Sequence, residues 1–123
     1  VNFSYRETKI DTIIYEVVFN IESGFCKEKL KEFNKMRDNQ PHVPSAGSCF
    51  KNPKDDFAGR LIESVELKGL RQGDMSFSEQ HANFLVNNGA RTFENAIYLI
   101  DLAKKKIKEE FSIDIEEEII IYK

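Results

Sequence analysis

Pro44-Ser45-Ala46-Gly47-Ser48-Cys49-Phe50-Lys51-Asn52-Pro53 is the stretch on which the reading of this chain turns. Two prolines bracket it, and each disfavours helix at the residue before it. Gly47 lets the backbone turn tightly or lets a ligand come close. Ser48 to Lys51 suit a short strand, with Ser48 and Phe50 on one face and Cys49 and Lys51 on the other. A hydroxyl, an ammonium and a carboxamide this close together suit an anion or oxyanion pocket. A loop leading into an edge strand is the plainer alternative, and composition alone favours it.

Upstream of this stretch, Leu30, Phe33 and Met36 recur at three-residue spacing among lysines and glutamates, which predicts a helix from Cys26 to about Asp38. Pro41 and Pro44 stop it. Between Ile10 and Ile21, the residues Ile13, Ile14, Tyr15, Val17, Val18 and Phe19 predict a buried strand ended by Ser23-Gly24. Downstream, Asp55-Asp56 precede Phe57, Ala58, Leu61 and Ile62, an acidic helix start followed by helical spacing. Gly69 and Gly73 punctuate the next connection, and short strands are expected within Met75–Phe77 and Asn83–Val86 before an Asn88-Gly89 turn. A helix from Thr92 to Glu110 carries an apolar stripe of Phe93, Ala96, Ile97, Ile100, Ala103 and Ile107, with Thr92 as its N-cap. Ile113, Ile115, Ile119 and Ile121 then alternate as a strand does, and Glu116, Glu118, Ile120 and Tyr122 face the other way. Helices and strands mix without strict alternation of strand and helix, so the expected class is α+β, a small mixed sheet with packed helices.

The chain of 123 residues is one domain's worth, with 41% hydrophobic and 32% charged residues, as in a soluble globular protein. A net charge of −3 with dispersed Lys and Arg argues against a nucleic-acid surface. Cys26 and Cys49 are too few for a disulfide framework and read as reduced thiols. Two His and two Cys lack metal-ligand spacing. No apolar run is long enough to span a membrane, and no signal peptide is visible. Val1 is not an initiator methionine, which suggests an excised or processed piece.

Pro-Ser-Ala-Gly-Ser-x-Phe-Lys-Asn-Pro resembles the signature of the UDP-N-acetylenolpyruvoylglucosamine reductase (MurB) family. Further segments keep the family's order: Phe3-Ser4-Tyr5-Arg6-Glu7-Thr8, Arg37-x-x-Gln40-Pro41, Ala58-Gly59-x-Leu61-Ile62-Glu63, Leu67-Lys68-Gly69, Ser78-Glu79-x-His81-Ala82-Asn83-Phe84 and Glu116-Glu117-Glu118-Ile119. Thr8 departs from the family's usual serine, Val65-Glu66 from a tighter turn, and Gln72-Gly73-Asp74 from a double glycine.

The resemblance implies residues 1–23 as the tail of a flavin-binding domain, 24–114 as a substrate-binding domain, and 115–123 as a strand returning to the flavin domain. It implies a bacterial cytoplasmic enzyme of peptidoglycan synthesis. With FAD and NADPH in the full-length protein, such an enzyme reduces UDP-N-acetylglucosamine enolpyruvate to UDP-N-acetylmuramate. Ser48 matches the family's proton donor and Glu118 its C-terminal catalytic glutamate, while Glu116 and Glu117 read as solvated carboxylates. Tyr5, Asn52, Lys51, Arg37 and His81 match positions that line the substrate, and Arg6 would hold the pocket's shape. For Arg37, a cation at a helix C-terminus is an equal alternative; a lone histidine such as His81 is more often structural; Cys49 reads as a packed thiol. The flavin-binding region is missing, and no Gly-rich dinucleotide loop is present. No tightly bound cofactor is therefore expected on this chain, and the isolated piece is expected to be inactive. A non-catalytic binding or interaction module of the same descent is the alternative.

Overall fold

The structure is a computed structural model that describes residues 3–8, 10–21, 23–89 and 92–122, except for the side chains of Phe3 and Glu7. Val1, on which the inference of an excised piece rests, lies outside them. The chain divides into two compact units at Met36/Arg37.

In the first unit, β1 (Phe3–Ser4) pairs antiparallel with β2 (Glu7–Thr8). Arg6, with φ +55, sits in the turn between them. The buried strand expected over residues 10–21 is not formed. That segment carries no regular structure, and Ile13, Tyr15, Val18 and Phe19 are exposed. The physical reason is that strand backbone must pair, and no described residue pairs with this segment. Helix α1 (Lys27–Met36) forms where the spacing predicts it, but none of its residues is buried within its own unit.

The second unit holds the core. Four strands, β3 (Ser45–Ser48), β4 (Arg71–Gln72), β5 (Met75–Phe77) and β6 (Phe84–Asn87), lie in the order β3-β6-β5-β4. The α+β class holds, and all of these pairings are antiparallel where a mixed sheet was expected. Helix α2 (Ala58–Ser64) buries Ala58, Leu61 and Ile62. Helix α3 (Phe93–Phe111) buries Leu99, Ile100, Ala103 and Ile107, a stripe at helical spacing. Phe93, placed on that stripe by the sequence, is 52% exposed. Thr92 is the N-cap, but its hydroxyl takes a hydrogen bond from Asn95 Nδ2 (2.6 Å) instead of bonding helix backbone.

Phe77 on β5 and Leu85 on β6 join the helices in one apolar cluster, with Met75 packed against it. Burying each large side chain contributes about 1.5–3 kcal/mol. The opposite face of the sheet is more polar. Arg71, Ser76, Val86 and Ser45 stand in one row across β4, β5, β6 and β3, since directly paired residues share a face. After α3, Ile115 enters the core and Ile113, Ile119 and Ile121 pack against it, the alternation the sequence shows. This segment makes one antiparallel bridge, Phe50 to Glu117.

Candidate active site

Gly47 has φ +83, and a Cβ there would meet nothing within 4 Å. Glycine is needed at this position for its backbone conformation, not for space. Around it the β3–β6 register shifts: Ser45 pairs with Val86 but Ser48 with Phe84, so that Ala46 and Gly47 on β3 stand against Leu85 alone on β6. A bulge with glycine in the left-handed region explains the shift, and it turns both serine hydroxyls to the same, polar face. Ser48 is half-buried there.

Strict alternation then fails. Cys49 and Phe50 are both fully buried, so the division into a Ser48/Phe50 face and a Cys49/Lys51 face does not hold. The backbone bonds show why. The Cys49 N–H donates to Asn83 O (2.7 Å), whereas the Cys49 carbonyl accepts from Glu118 N–H (2.8 Å), and the Lys51 N–H donates to Glu116 O (2.9 Å). The stretch leaves β6 and continues between Asn83 on one side and residues 116–118 on the other. Burial, followed by the nearby Glu117 carboxylate, pushes the Cys49 thiol up to about 12. This is an inert packed thiol and not a nucleophile.

Glu118 is thereby brought alongside the signature. It is half-buried, and its Oε2 is buried. Asn52 lies in the loop before α2, and its Oδ1 accepts the N–H of Ala58, the first residue of that helix (3.1 Å). His81 is half-buried: its Nδ1 accepts the Asn83 N–H (3.3 Å), and its ring meets the edge of Phe84, the ladder partner of Ser48, at 4.9 Å. Gly59 of α2 faces His81 as well; a Cβ there would lie 3.3 Å from the imidazole Cε1. The first turn of α2 thus supports both Asn52 and His81. Lys51 is held at the surface by Glu116 (3.3 Å).

Two expected contributors are not drawn in by any contact described here. Arg37 is exposed, although Gln80 Nε2 donates to the neighbouring Asp38 carbonyl (2.6 Å) and fixes that segment. Tyr5 belongs to the first unit, where its hydroxyl accepts from Arg6 Nε (3.2 Å) and its ring lies 5.5 Å from the Arg6 guanidinium. Glu117 is not the solvated carboxylate expected. It is half-buried against Lys104 Nζ (2.8 Å); burial works to raise its carboxyl, and the lysine's hydrogen bond and charge outweigh that and hold it low.

Two cavities lie against the sheet. On the polar face, one of about 370 Å³ is lined by Pro41, His42, Arg71, Ser76, Ser78 and Gln80, among others. On the core face, one of about 430 Å³ is mainly apolar, with Ala46, Cys49, Met75, Leu85 and Ile119 in its wall and no charged side chain. Sequence reasoning gave no role to the polar cavity, to Gln80 or to Asn83. The signal for Asn83 was present: an asparagine amid Ala82, Phe84, Leu85 and Val86 must be buried with partners. No described helix is long and apolar enough to cross a membrane. No described cluster of His, Cys, Asp and Glu can hold a metal.

The sequence model of "UDP-N-acetylenolpyruvoylglucosamine reductase, C-terminal domain" matches residues 39–122. Proteins named UDP-N-acetylenolpyruvoylglucosamine reductase from Helicobacter hepaticus and Campylobacter jejuni are 52% and 48% identical over 118 and 121 residues. The matches cover 96% and 98% of this chain and 45% and 47% of those proteins, so the chain spans about half the length of these relatives. The crystal structure of the reductase (MurB) from Thermus caldophilus superposes with a TM-score of 0.67 at 36% identity, covering 78% of this chain and 34% of that one.

Proposed function

The chain belongs to the UDP-N-acetylenolpyruvoylglucosamine reductase family through its C-terminal domain, and on that premise we propose that it is the substrate-binding and proton-donating part of a reductase in bacterial cytoplasmic peptidoglycan synthesis. The substrate is UDP-N-acetylglucosamine enolpyruvate and the product UDP-N-acetylmuramate. The observation that carries the reading is the convergence of Ser48, Asn52 and Glu118 on one backbone segment, joined by the bond from the Glu118 N–H to the Cys49 carbonyl.

The chemistry asks for two things. Hydride added to the methylene carbon of the enolpyruvyl group leaves a carbanion on the ether carbon, delocalised into the carboxylate as an enediolate. That charge must be stabilised in a dry site, and a proton must reach the ether carbon. Ser48 Oγ gives up its proton to that carbon, which completes the lactyl ether, and the oxygen is reprotonated afterwards. A serine is a weak acid, and an enediolate carbon is basic enough to take its proton. Glu118, with an oxygen buried beside the signature, assists the enediolate if it carries a proton. The Asn52 amide orients the carboxylate or the diphosphate. The polar cavity of the second unit, with His42, Arg71, Ser76, Ser78 and Gln80 in its wall, offers donors for the rest of a nucleotide sugar. Arg37, His81 and Tyr5 are further substrate contacts by the family resemblance alone.

The hydride is supplied by flavin reduced by NADPH. The mainly apolar cavity behind β3 has no charged side chain, so its residues do not fit the diphosphate of FAD. We assign FAD to the part of the longer relatives that this chain does not span. Alone, the chain is expected to be inactive and to bind the UDP-sugar weakly.

The test is Ser48→Ala in a full-length reductase containing this chain. Flavin reduction by NADPH should stay near wild type, while reduction of the enolpyruvyl substrate falls by about 10² to 10⁴-fold. Turnover within a factor of a few of wild type would remove Ser48 as the donor.

A further inference from the structure

Asn83 is 4% exposed, and both polar atoms of its side-chain amide bond the same residue. Its Oδ1 accepts the Phe50 N–H (3.0 Å), and its Nδ2 donates to the Phe50 carbonyl (2.8 Å). Its main-chain carbonyl accepts the Cys49 N–H (2.7 Å), and its main-chain N–H donates to His81 Nδ1 (3.3 Å). The side-chain amide therefore stands in for a peptide unit, extending the β3–β6 ladder one step past the pair Ser48–Phe84. That step is where the signature bends and both Cys49 and Phe50 turn inward. Without it the peptide groups of a fully buried Phe50 lose their partners, and the backbone midway between Ser48 and Asn52 loses its anchor.

We propose that Asn83 is a positioning residue: its amide clamps the Phe50 peptide and so sets the geometry of Ser48 and Asn52 for proton delivery. This rests on the function proposed above. Asn83 touches no reacting atom in this scheme; it acts through the backbone of residues 49 and 50. Catalytic geometry is sensitive to such support, since a displacement of about 1 Å can cost about 10²-fold in rate.

The experiment uses the flavin-loaded full-length reductase with Asn83→Ala, Asn83→Leu and Asn83→Asp, each measured for flavin reduction by NADPH and for substrate reduction. The expected result is flavin reduction within about threefold of wild type and kcat for substrate reduction down by about 10²-fold, with a smaller change in KM. Asn83→Asp should regain activity on acidification, because a protonated carboxyl donates to the Phe50 carbonyl as the amide does. The Ala and Leu variants should not. His81 is the titratable group facing residue 83, so wild type over the same pH range is the reference. Should Ala and Leu fail to fold, the aspartate decides: no recovery at any pH overturns the proposal, as does Ala or Leu turnover near wild type. Ser48→Ala run in parallel separates the two claims. If that variant is active, the functional reading fails; if it is dead while the Asn83 variants are active, this proposal alone fails.

Discussion

Glu118 donates its backbone N–H to the carbonyl of Cys49 at 2.8 Å, which joins the final segment of the chain to the residue after Ser48. The bond is one of a set: the Lys51 N–H reaches Glu116 O, and Phe50 bridges Glu117. A short, otherwise irregular C-terminal segment is thereby held against the signature. Ile115 enters the core, Ile113, Ile119 and Ile121 pack against it, and one carboxylate oxygen of Glu118 is buried.

Glu118→Gln should be milder than Glu118→Ala in a full-length reductase. An amide still donates a hydrogen bond to a developing enediolate, and alanine does not. We expect Ala to lower substrate reduction by about 10²-fold or more and Gln by clearly less. Single-turnover kinetics of the two half-reactions would measure it, and equal losses for the two variants would show that Glu118 does not act as a neutral donor.

Asn52 holds the Ala58 N–H through Oδ1, and the proposed function gives its NH₂ to the substrate, so two substitutions separate the two duties. Asn52→Ala should destabilise the fold by about 0.5–2 kcal/mol, the usual loss of a capping acceptor. Asn52→Asp keeps the acceptor, so stability should stay near wild type. Its added negative charge should weaken binding of a diphosphate-bearing substrate. Denaturant melts and KM together decide the matter; an aspartate variant with unchanged KM would remove Asn52 from the binding site.

The two cysteines should react at different stages. At pH 8, an alkylating reagent should modify exposed Cys26 in the folded protein and reach buried Cys49 only on unfolding. The Cys49 thiol, raised to about 12, also makes stability pH-dependent. The folded value lies above the unfolded one, so its contribution is complete below about pH 8.5 and is lost as pH climbs toward the folded value. Thermal melts of wild type and Cys49→Ala between neutral pH and pH 11 should converge. Stoichiometric labelling of Cys49 in the folded state would contradict the burial.

At the start of α2, a hydrogen bond from the Arg60 side chain, then the Phe57 N–H, holds the Asp56 carboxyl down at about 2. A depressed folded value contributes stability that is present above the unfolded value of about 4 and lost as pH falls toward 2. Asp56→Asn should therefore be less stable than wild type at neutral pH and equal to it near pH 2. A gap between the two melting curves that does not close in acid would show that the pair does not act through ionisation.

By itself the sequence determined the α+β class, the family, α1, the presence of α2, the extent of α3 to within a residue, and the inward isoleucines of the last segment. Local periodicity and an uninterrupted motif order carry that information, and neither needs the rest of the molecule. Tertiary structure decided what depends on partners. Residues 10–21 have strand composition, but no described residue pairs with them, so composition alone misled there. Alternation past Ser48 broke because a bulge at Gly47 and the Asn83 amide supply a backbone path that period-two reasoning does not contain. Glu117, read as solvated, is held by Lys104 from another element. In each case the deciding hydrogen bond or ion pair, or the lack of a partner strand, is set by residues far away in the chain, and only folding brings such groups within bonding distance.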